Sequence, residues 1–304
     1  MAERGEIHHE AFFYADPDEY LAGTVPFVRE GIEAGEAVLV ALPREKRELV
    51  RDALGADAEL ANFAAMEEMG RNPGRLLSAW TDFALANPSA GTRGLGEPAW
   101  AGRSAAALEE CGRHEALLNL PIADSQPVAL LCPYDAAGLD DEVLIGAERC
   151  HLAVSGRERS ASYDAGEDVF AGRLERPAGE FVETVFGFDA ATLHSVRRLV
   201  FAEAARAGLE TARAGDLVLA ASEIATNSIR HGGGTGVLQI WRREDEVICD
   251  FRDSGRIVDP LAGRLRPGFE QVEGRGLWVA NQLCDLVQIR WDDGNVVRLW
   301  MGSD

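Results

Sequence analysis

Three groups of residues in the second half of the chain are of types that do chemistry, at spacings that let them act together. Glu223, Asn227 and His231 lie four apart within a segment rich in Leu217, Val218, Leu219, Ile224 and Ile229. On a helix they share one face. A carboxylate and an amide one turn apart can hold a hard cation and orient a nucleophile's proton. The same pattern also serves as the polar stripe of an ordinary amphipathic helix. In the run Val247 to Asp253, a period of two places Val247, Cys249, Phe251 and Asp253 on one face, just before Ser254-Gly255. A carboxylate that ends an apolar face needs a donor, either the amine of a bound purine or the backbone of the turn. Gly274-Arg275-Gly276-Leu277 then opens a helix. Glycines there let backbone N–H groups approach a phosphate, and a helix N-terminus favours an anion; a bare turn is the alternative.

The elements that must position these groups follow from periodicity. The spacing predicts a strand at Phe181–Phe186, helices at about 190–207 and 212–231, and strands at 236–243 and 246–253. A glycine- and arginine-rich loop at 254–275 follows, then a helix at about 277–286 and a hairpin of 287–291 and 296–301 turning at Asp292-Asp293-Gly294. This is an α+β sandwich on an antiparallel sheet. The first half alternates differently: Phe12–Tyr14, Ala37–Leu42, Phe63–Met66, Thr92–Pro98 and Pro127–Cys132 read as strands. Helices are expected at about 19–34, 76–85, 104–118 and 140–154, with one opened by Pro43. Near-continuous apolar strands between helices imply a doubly wound, mostly parallel α/β sheet. Residues 155–178 are charged and poor in apolar side chains, as a linker would be.

The 304 residues carry 51 Asp and Glu against 30 Lys and Arg, a formal net charge of −21. With 46% hydrophobic residues the chain is globular, and its length suits two domains with a core each. The acid excess excludes a main role on a nucleic-acid backbone or an anionic membrane, since both need clustered cations. That excess belongs to the first half: residues 1–150 hold 27 acids and 12 bases, residues 151–304 hold 24 and 18. Within 251–304 the count is 8 against 7, with Arg252, Arg256, Arg264, Arg266 and Arg275 grouped around the loop, a balance compatible with a bound nucleotide.

Lys46 is the only lysine and has no glycine loop before it, so a solvated helix residue is expected rather than a phosphate-binding or Schiff-base lysine. Cys111, Cys132, Cys150, Cys249 and Cys284 form no CxxC pair and read as reduced core thiols. His8-His9 could suggest a metal, but a solvated terminus is the expectation. No apolar leader stands at Met1–Glu6 and no run approaches the ~18 residues of a membrane span, so a soluble cytoplasmic protein is expected.

The order Glu-x-x-x-Asn on a helix, Asp-x-Gly at a strand end and Gly-x-Gly before a helix resembles the N, G1 and G2 boxes of the GHKL ATPase superfamily. Residues 223–232 (Glu-Ile-Ala-Thr-Asn-Ser-Ile-Arg-His-Gly) and 274–278 (Gly-Arg-Gly-Leu-Trp) resemble its short bacterial branch, the anti-sigma factor serine/threonine kinases. The resemblance implies a two-layer GHKL (Bergerat) α+β sandwich over 179–304. It implies ATP as ligand, Mg²⁺ on Asn227, and Glu223 as general base on an acceptor hydroxyl. Asp253 would bind the adenine amine with Gly255 beside it. Gly274 and Gly276 would wrap the phosphates, Arg230, His231, Arg275 and Leu277 would also bind the nucleotide, and 256–273 would be the ATP lid. Either Arg275 or Arg256 could steady the γ-phosphate. Gly294-Asn295 departs from the Gly-Thr common in that branch, which puts one hydroxyl contact in question.

Residues 8–154 resemble the MEDS domain, a sensory module whose sheet is related to RecA-like ATPases. Phe12, Tyr14, Asp16-Pro17-Asp18, Gly70-Arg71-Asn72-Pro73 and Arg93-Gly94-Leu95-Gly96-Glu97-Pro98 carry that likeness. No GxxxxGK[ST] is present, so no hydrolysis is expected there; a small-molecule ligand near Arg93, Glu97 and His114 is a candidate, with structural polar residues as the alternative. Together the resemblances imply a switch protein that sequesters a sigma factor or phosphorylates a STAS-domain anti-anti-sigma factor, with a homodimer through the sheet. A sensor histidine kinase and a nucleotide-dependent capture module without phosphotransfer are the other readings. The former needs an acceptor histidine on a dimerisation helix pair, and His194 lies instead inside the first helix of the second domain.

Overall fold

The computed structural model describes residues 7–88, 91–120, 128–155, 170–268, 274–291 and 293–303. The chain divides into two compact units, one ending at Glu167 and the other beginning at Asp168. Most of the expected linker, all of the turn residue Asp292 and the end of the expected lid lie outside the described residues.

In the first unit, β1 (Ile7–Tyr14), β2 (Ala37–Leu42), β3 (Asn62–Ala65), β4 (Thr92–Gly96), β5 (Val128–Asp135) and β6 (Ala153–Val154) form one sheet in the order β3-β2-β4-β5-β1-β6, with parallel pairing throughout. The connecting helices are α1 (Pro17–Glu33), α2 (Arg44–Leu54), α3 (Met66–Met69), α4 (Leu76–Ala86), α5 (Ala105–Leu118) and α6 (Asp141–Cys150). Side-chain caps mark two of the starts. Asp16 accepts from the N–H groups of Asp18 and Glu19 ahead of α1, and Ser104 accepts from Ala107 ahead of α5. One face of the sheet buries Val38, Val40, Leu42 and Leu95 with Tyr20, Val25 and Val28 of α1 and Val50 and Leu54 of α2. The other packs Ala11, Cys132 and Tyr134 against Cys111 of α5 and Ala147 of α6. Glycines in β4 let α4 approach: a Cβ on Gly94 would sit 2.8 Å from the Trp80 ring, and one on Gly96 2.7 Å from it.

Three expectations are corrected here. His9 belongs to β1 and is 3% exposed, because β1 is an interior strand paired with β5 on one side and β6 on the other. The expected helix ends at Cys150 instead, and Ala153–Val154 form the strand β6. Lys46 is not a solvated residue: its ammonium donates to Glu97 and to the Tyr14 hydroxyl and lies 4.7 Å from the centre of the Tyr14 ring. Glu97 is fully buried just past the carboxyl end of β4, so a cation must accompany it.

The second unit carries the antiparallel sheet β10-β11-β9-β8-β7, formed by β7 (Val182–Asp189), β8 (Thr235–Arg243), β9 (Glu246–Asp253), β10 (Leu286–Trp291) and β11 (Asn295–Gly302). Helices α7 (Leu193–Arg206), α8 (Thr211–His231) and α9 (Arg275–Leu283) complete it. Alternation decides the faces. Phe188, Leu238, Ile240, Cys249, Phe251 and Leu299 are buried, with Phe251 against Phe188 edge to face. The opposite face carries a buried pair, Arg298 with Asp250, at 2.5 and 2.9 Å. The end of the expected linker is part of this unit: Phe170 and Leu174 are buried, Ala171 bridges Trp291, and Arg298 donates to the Glu175 carbonyl at 2.8 Å.

Candidate functional site

The three chemical groups of the second unit converge at the ends of α8, β9 and α9. Glu223 and Asn227, one turn apart and half-buried on α8, meet the first turn of α9 at one point. A Cβ on Gly276 would lie 2.9 Å from Glu223 Oε2 and 3.1 Å from Asn227 Nδ2, so backbone alone fits between them. Gly274 caps α9 with φ +83°, a left-handed conformation that glycine adopts without strain, and no side chain among the described residues caps that end. The first backbone N–H groups of α9 therefore point out of the helix beside a carboxylate and an amide, which suits an anion accompanied by a cation.

Asp253 ends β9 on the core side of the sheet, as the alternation predicts. Its Oδ1 accepts from the Gly255 N–H at 2.8 Å and from Asn295 Nδ2 at 3.3 Å, and its Oδ2 accepts nothing among the described residues. Asn295, Asp253's cross-strand partner on β11, also accepts from the Ile257 N–H at 2.9 Å. The residue that departs from the resembled pattern thus supplies an amide tie between Asp253 and the start of the loop, where a hydroxyl was in question. Gly255 is packed between Asp253 Oδ1, the His231 carbonyl and Asn295 Nδ2, each 2.9 to 3.0 Å from where a Cβ would stand.

Gly232 closes the resembled 223–232 run and packs against Asp253. A Cβ there would lie 2.5 Å from Asp253 Oδ1, and the Gly232 carbonyl accepts from the Ser254 hydroxyl at 2.8 Å. The Gly-Gly-Gly run was the available signal.

Other predicted residues are placed less centrally. Arg230 and His231 are exposed at the end of α8, and His231 meets the site through its carbonyl oxygen. Arg275 is exposed and donates to the Gly268 carbonyl at 3.2 Å; Arg256 stacks 3.7 Å from the centre of the Trp291 ring. The described part of the expected lid, 256–268, runs against α9. Asn281 donates to the Gly263 carbonyl at 2.9 Å, and Gly263, at φ +73°, faces Leu277 so closely that a Cβ would stand 2.6 Å from the leucine's own.

In the first unit the expected cluster of Arg93, Glu97 and His114 does not form. Arg93, at the start of β4, pairs with Glu36 at 2.5 Å and Glu30 at 3.3 Å. Glu97 lies beyond the other end of that strand with Lys46 and Tyr14. His114 is on α5 and lines a cavity of about 10 Å³ with Trp80, Leu118 and Leu130. That volume holds no more than a water, and residues along one strand cannot converge on one ligand from its two ends.

No helix among the described residues is long and apolar enough to cross a membrane. No curated protein matches the chain. Residues 8–152 match the family described as MEDS, the MEthanogen/methylotroph, DcmR Sensory domain. Residues 186–301 match the histidine kinase-like ATPase domain. The chain is a MEDS domain joined to a histidine kinase-like ATPase domain.

Proposed function

We propose that the C-terminal unit binds ATP with Mg²⁺ and passes the γ-phosphoryl group to a serine or threonine of a STAS-domain anti-anti-sigma factor. In the same reading it captures a sigma factor when the antagonist is absent, and the N-terminal unit, as a sensory domain, sets which outcome prevails. The observation that carries the reading is the contact of Gly276 with Glu223 and Asn227. It sets the backbone of a helix start, a base and a hard oxygen donor within one small volume.

Phosphoryl transfer asks for positioning and charge neutralisation more than for covalent chemistry. The amide oxygen of Asn227 fits Mg²⁺, which prefers hard oxygen ligands and neutralises phosphate charge when bound. The backbone at Gly274–Gly276 holds phosphate oxygens, Asp253 accepts from the adenine amine, and Glu223 takes the proton of the acceptor hydroxyl.

The test is transfer of label from γ-labelled ATP, using the full chain with candidate STAS partners. Label on a partner serine or threonine, lost in Glu223→Ala, is expected. Label on a histidine of this chain would make it a histidine kinase, and tight nucleotide binding with no transfer would make it a capture module. Either result overturns the proposal.

A further inference from the structure

In the first unit, four side chains turn their ligand atoms toward one point. His9 comes from β1, Cys132 from the neighbouring β5, Glu115 from α5, and His151 from the residue after α6. Their ligand atoms all lie within 4.8 Å of one another, and none of the four residues is more than 4% exposed. His9 Nε2 is 2.8 Å from Glu115 Oε2 and 3.4 Å from Cys132 Sγ. His151 Nε2 is 3.2 Å from the same carboxylate oxygen, yet it makes no hydrogen bond among the described residues.

The outer nitrogens decide which form the imidazoles take. His151 Nδ1 is 2.8 Å from the Ala147 carbonyl, which can only accept, so that nitrogen carries the proton. His9 Nδ1 is 3.1 Å from Asn119 Oδ1. The orientation of that amide is fixed, because Asn119 Nδ2 donates to the Cys150 carbonyl at 2.6 Å and the Glu115 carbonyl at 3.2 Å. His9 Nδ1 therefore donates as well. In the neutral state both Nε2 lone pairs then face a carboxylate oxygen, lone pair against lone pair, in a dry interior. A second proton on each ring would remove the clash by burying two adjacent cations, with the ring centres 4.0 Å apart. Two cations held that close in a buried site repel strongly, which disfavours that remedy.

A divalent cation resolves the conflict in one step. We infer that His9 Nε2, His151 Nε2, Cys132 Sγ and one Glu115 oxygen bind a single tetrahedral cation of the zinc class. Two imidazoles, a thiolate and a carboxylate form a zinc-type donor set, and bonds of about 2.0 to 2.3 Å place neighbouring ligand atoms roughly 3.3 to 3.8 Å apart. The observed separations bracket that range. The Nδ1–H bonds to oxygen acceptors are the outer supports that such histidines ordinarily have. With four protein ligands and no solvent access the site is closed, so the cation is structural: it clips β1 to β5, α5 and α6. Binding deprotonates the Cys132 thiol and releases that proton to solvent.

The test uses the full chain, expressed with zinc supplied and dialysed extensively, with metal measured by elemental analysis. One zinc per chain is expected, falling below about a tenth in Cys132→Ser and in His151→Gln, while Cys111→Ser, a buried thiol outside the cluster, keeps its metal. Cobalt in place of zinc is expected to show a thiolate-to-cobalt charge-transfer band that Cys132→Ser abolishes. Chelation should lower the melting temperature of the wild type, and added zinc should restore it. If both cluster variants fail to fold, the wild type alone decides through the cobalt band and the chelation shift. A wild type that binds no stoichiometric metal and shows neither band nor shift would overturn the inference. So would retention of a full zinc equivalent in both variants.

Discussion

Replacing Asp253 by asparagine separates the carboxylate's role in the fold from its proposed role toward a nucleotide. Among the described residues only Oδ1 is engaged, by the Gly255 N–H at 2.8 Å and Asn295 Nδ2 at 3.3 Å. An asparagine whose amide oxygen takes that position keeps both bonds and gives up only their charge assistance. The cost to folding is about 1 kcal/mol, a shift of a few degrees in melting temperature. The NH₂ group then stands where Oδ2 stood. A charge-assisted hydrogen bond from the adenine amine, worth roughly 1.5 to 3 kcal/mol, is lost, so ATP affinity should fall about 10- to 150-fold. A guanine presents a carbonyl at the corresponding edge, which the new NH₂ can reach as donor. The preference for ATP over GTP should therefore collapse, beyond a uniform weakening. Calorimetric titration of wild type and variant with ATP and GTP at one salt concentration measures both effects. Unchanged ATP affinity, or an equal loss for both nucleotides, would refute the placement of the base at Asp253.

Gly276→Ala gains roughly 1 kcal/mol of helix propensity but forces a methyl against Glu223 and Asn227, an overpacking cost of about 1 to 3 kcal/mol. Melting should move by only a few degrees while ATP affinity drops at least about tenfold, and calorimetry showing full affinity would deny the close approach a role. Lys46→Met strands the buried Glu97 carboxylate; with Lys46 24% exposed, the low end of the usual cost is expected, about 3 kcal/mol in urea unfolding of the N-terminal unit. A loss below about 1 kcal/mol would show that the pair is ornamental. Burial, opposed by Lys46, raises the Glu97 pKa above its ordinary 4.5, so the folded state holds that proton more tightly than the unfolded chain does. The contribution is complete below 4.5 and is lost as pH rises through the folded value. Glu97→Gln removes this slope, and urea titrations from pH 4 to 7 should show the variant gaining on the wild type as pH rises.

What was legible in the sequence was what is local. Ala37–Leu42 and Glu246–Asp253 were bounded as strands from their own residues, because an apolar run or a strict alternation needs no distant partner. The Glu-x-x-x-Asn, Asp-x-Gly and Gly-x-Gly groups could be read for the same reason, each lying within a turn or two of chain. Lys46 was misread because its partners, Tyr14 and Glu97, lie 32 and 51 residues away and meet it only at the carboxyl ends of parallel strands. His9 has no periodic signature at all: polar residues interrupt β1, and its contact with Glu115 spans 106 residues. Asn295 could be seen as a departure from a pattern, but only the β9–β11 register shows that its amide reaches Asp253.

The pairing at Trp291 has a mechanical consequence. Its backbone N–H donates to the Phe170 carbonyl at 2.9 Å, and its ring lies under Arg256 at the start of the loop that follows Asp253. Phe170 stands at the head of the second unit, where the chain arrives from the first. A displacement of Phe170 would thus reach, through the main chain of one residue, the indole against which Arg256 stacks. The route is short: one main-chain hydrogen bond, then the Trp291 indole and the Arg256 guanidinium lying on its face.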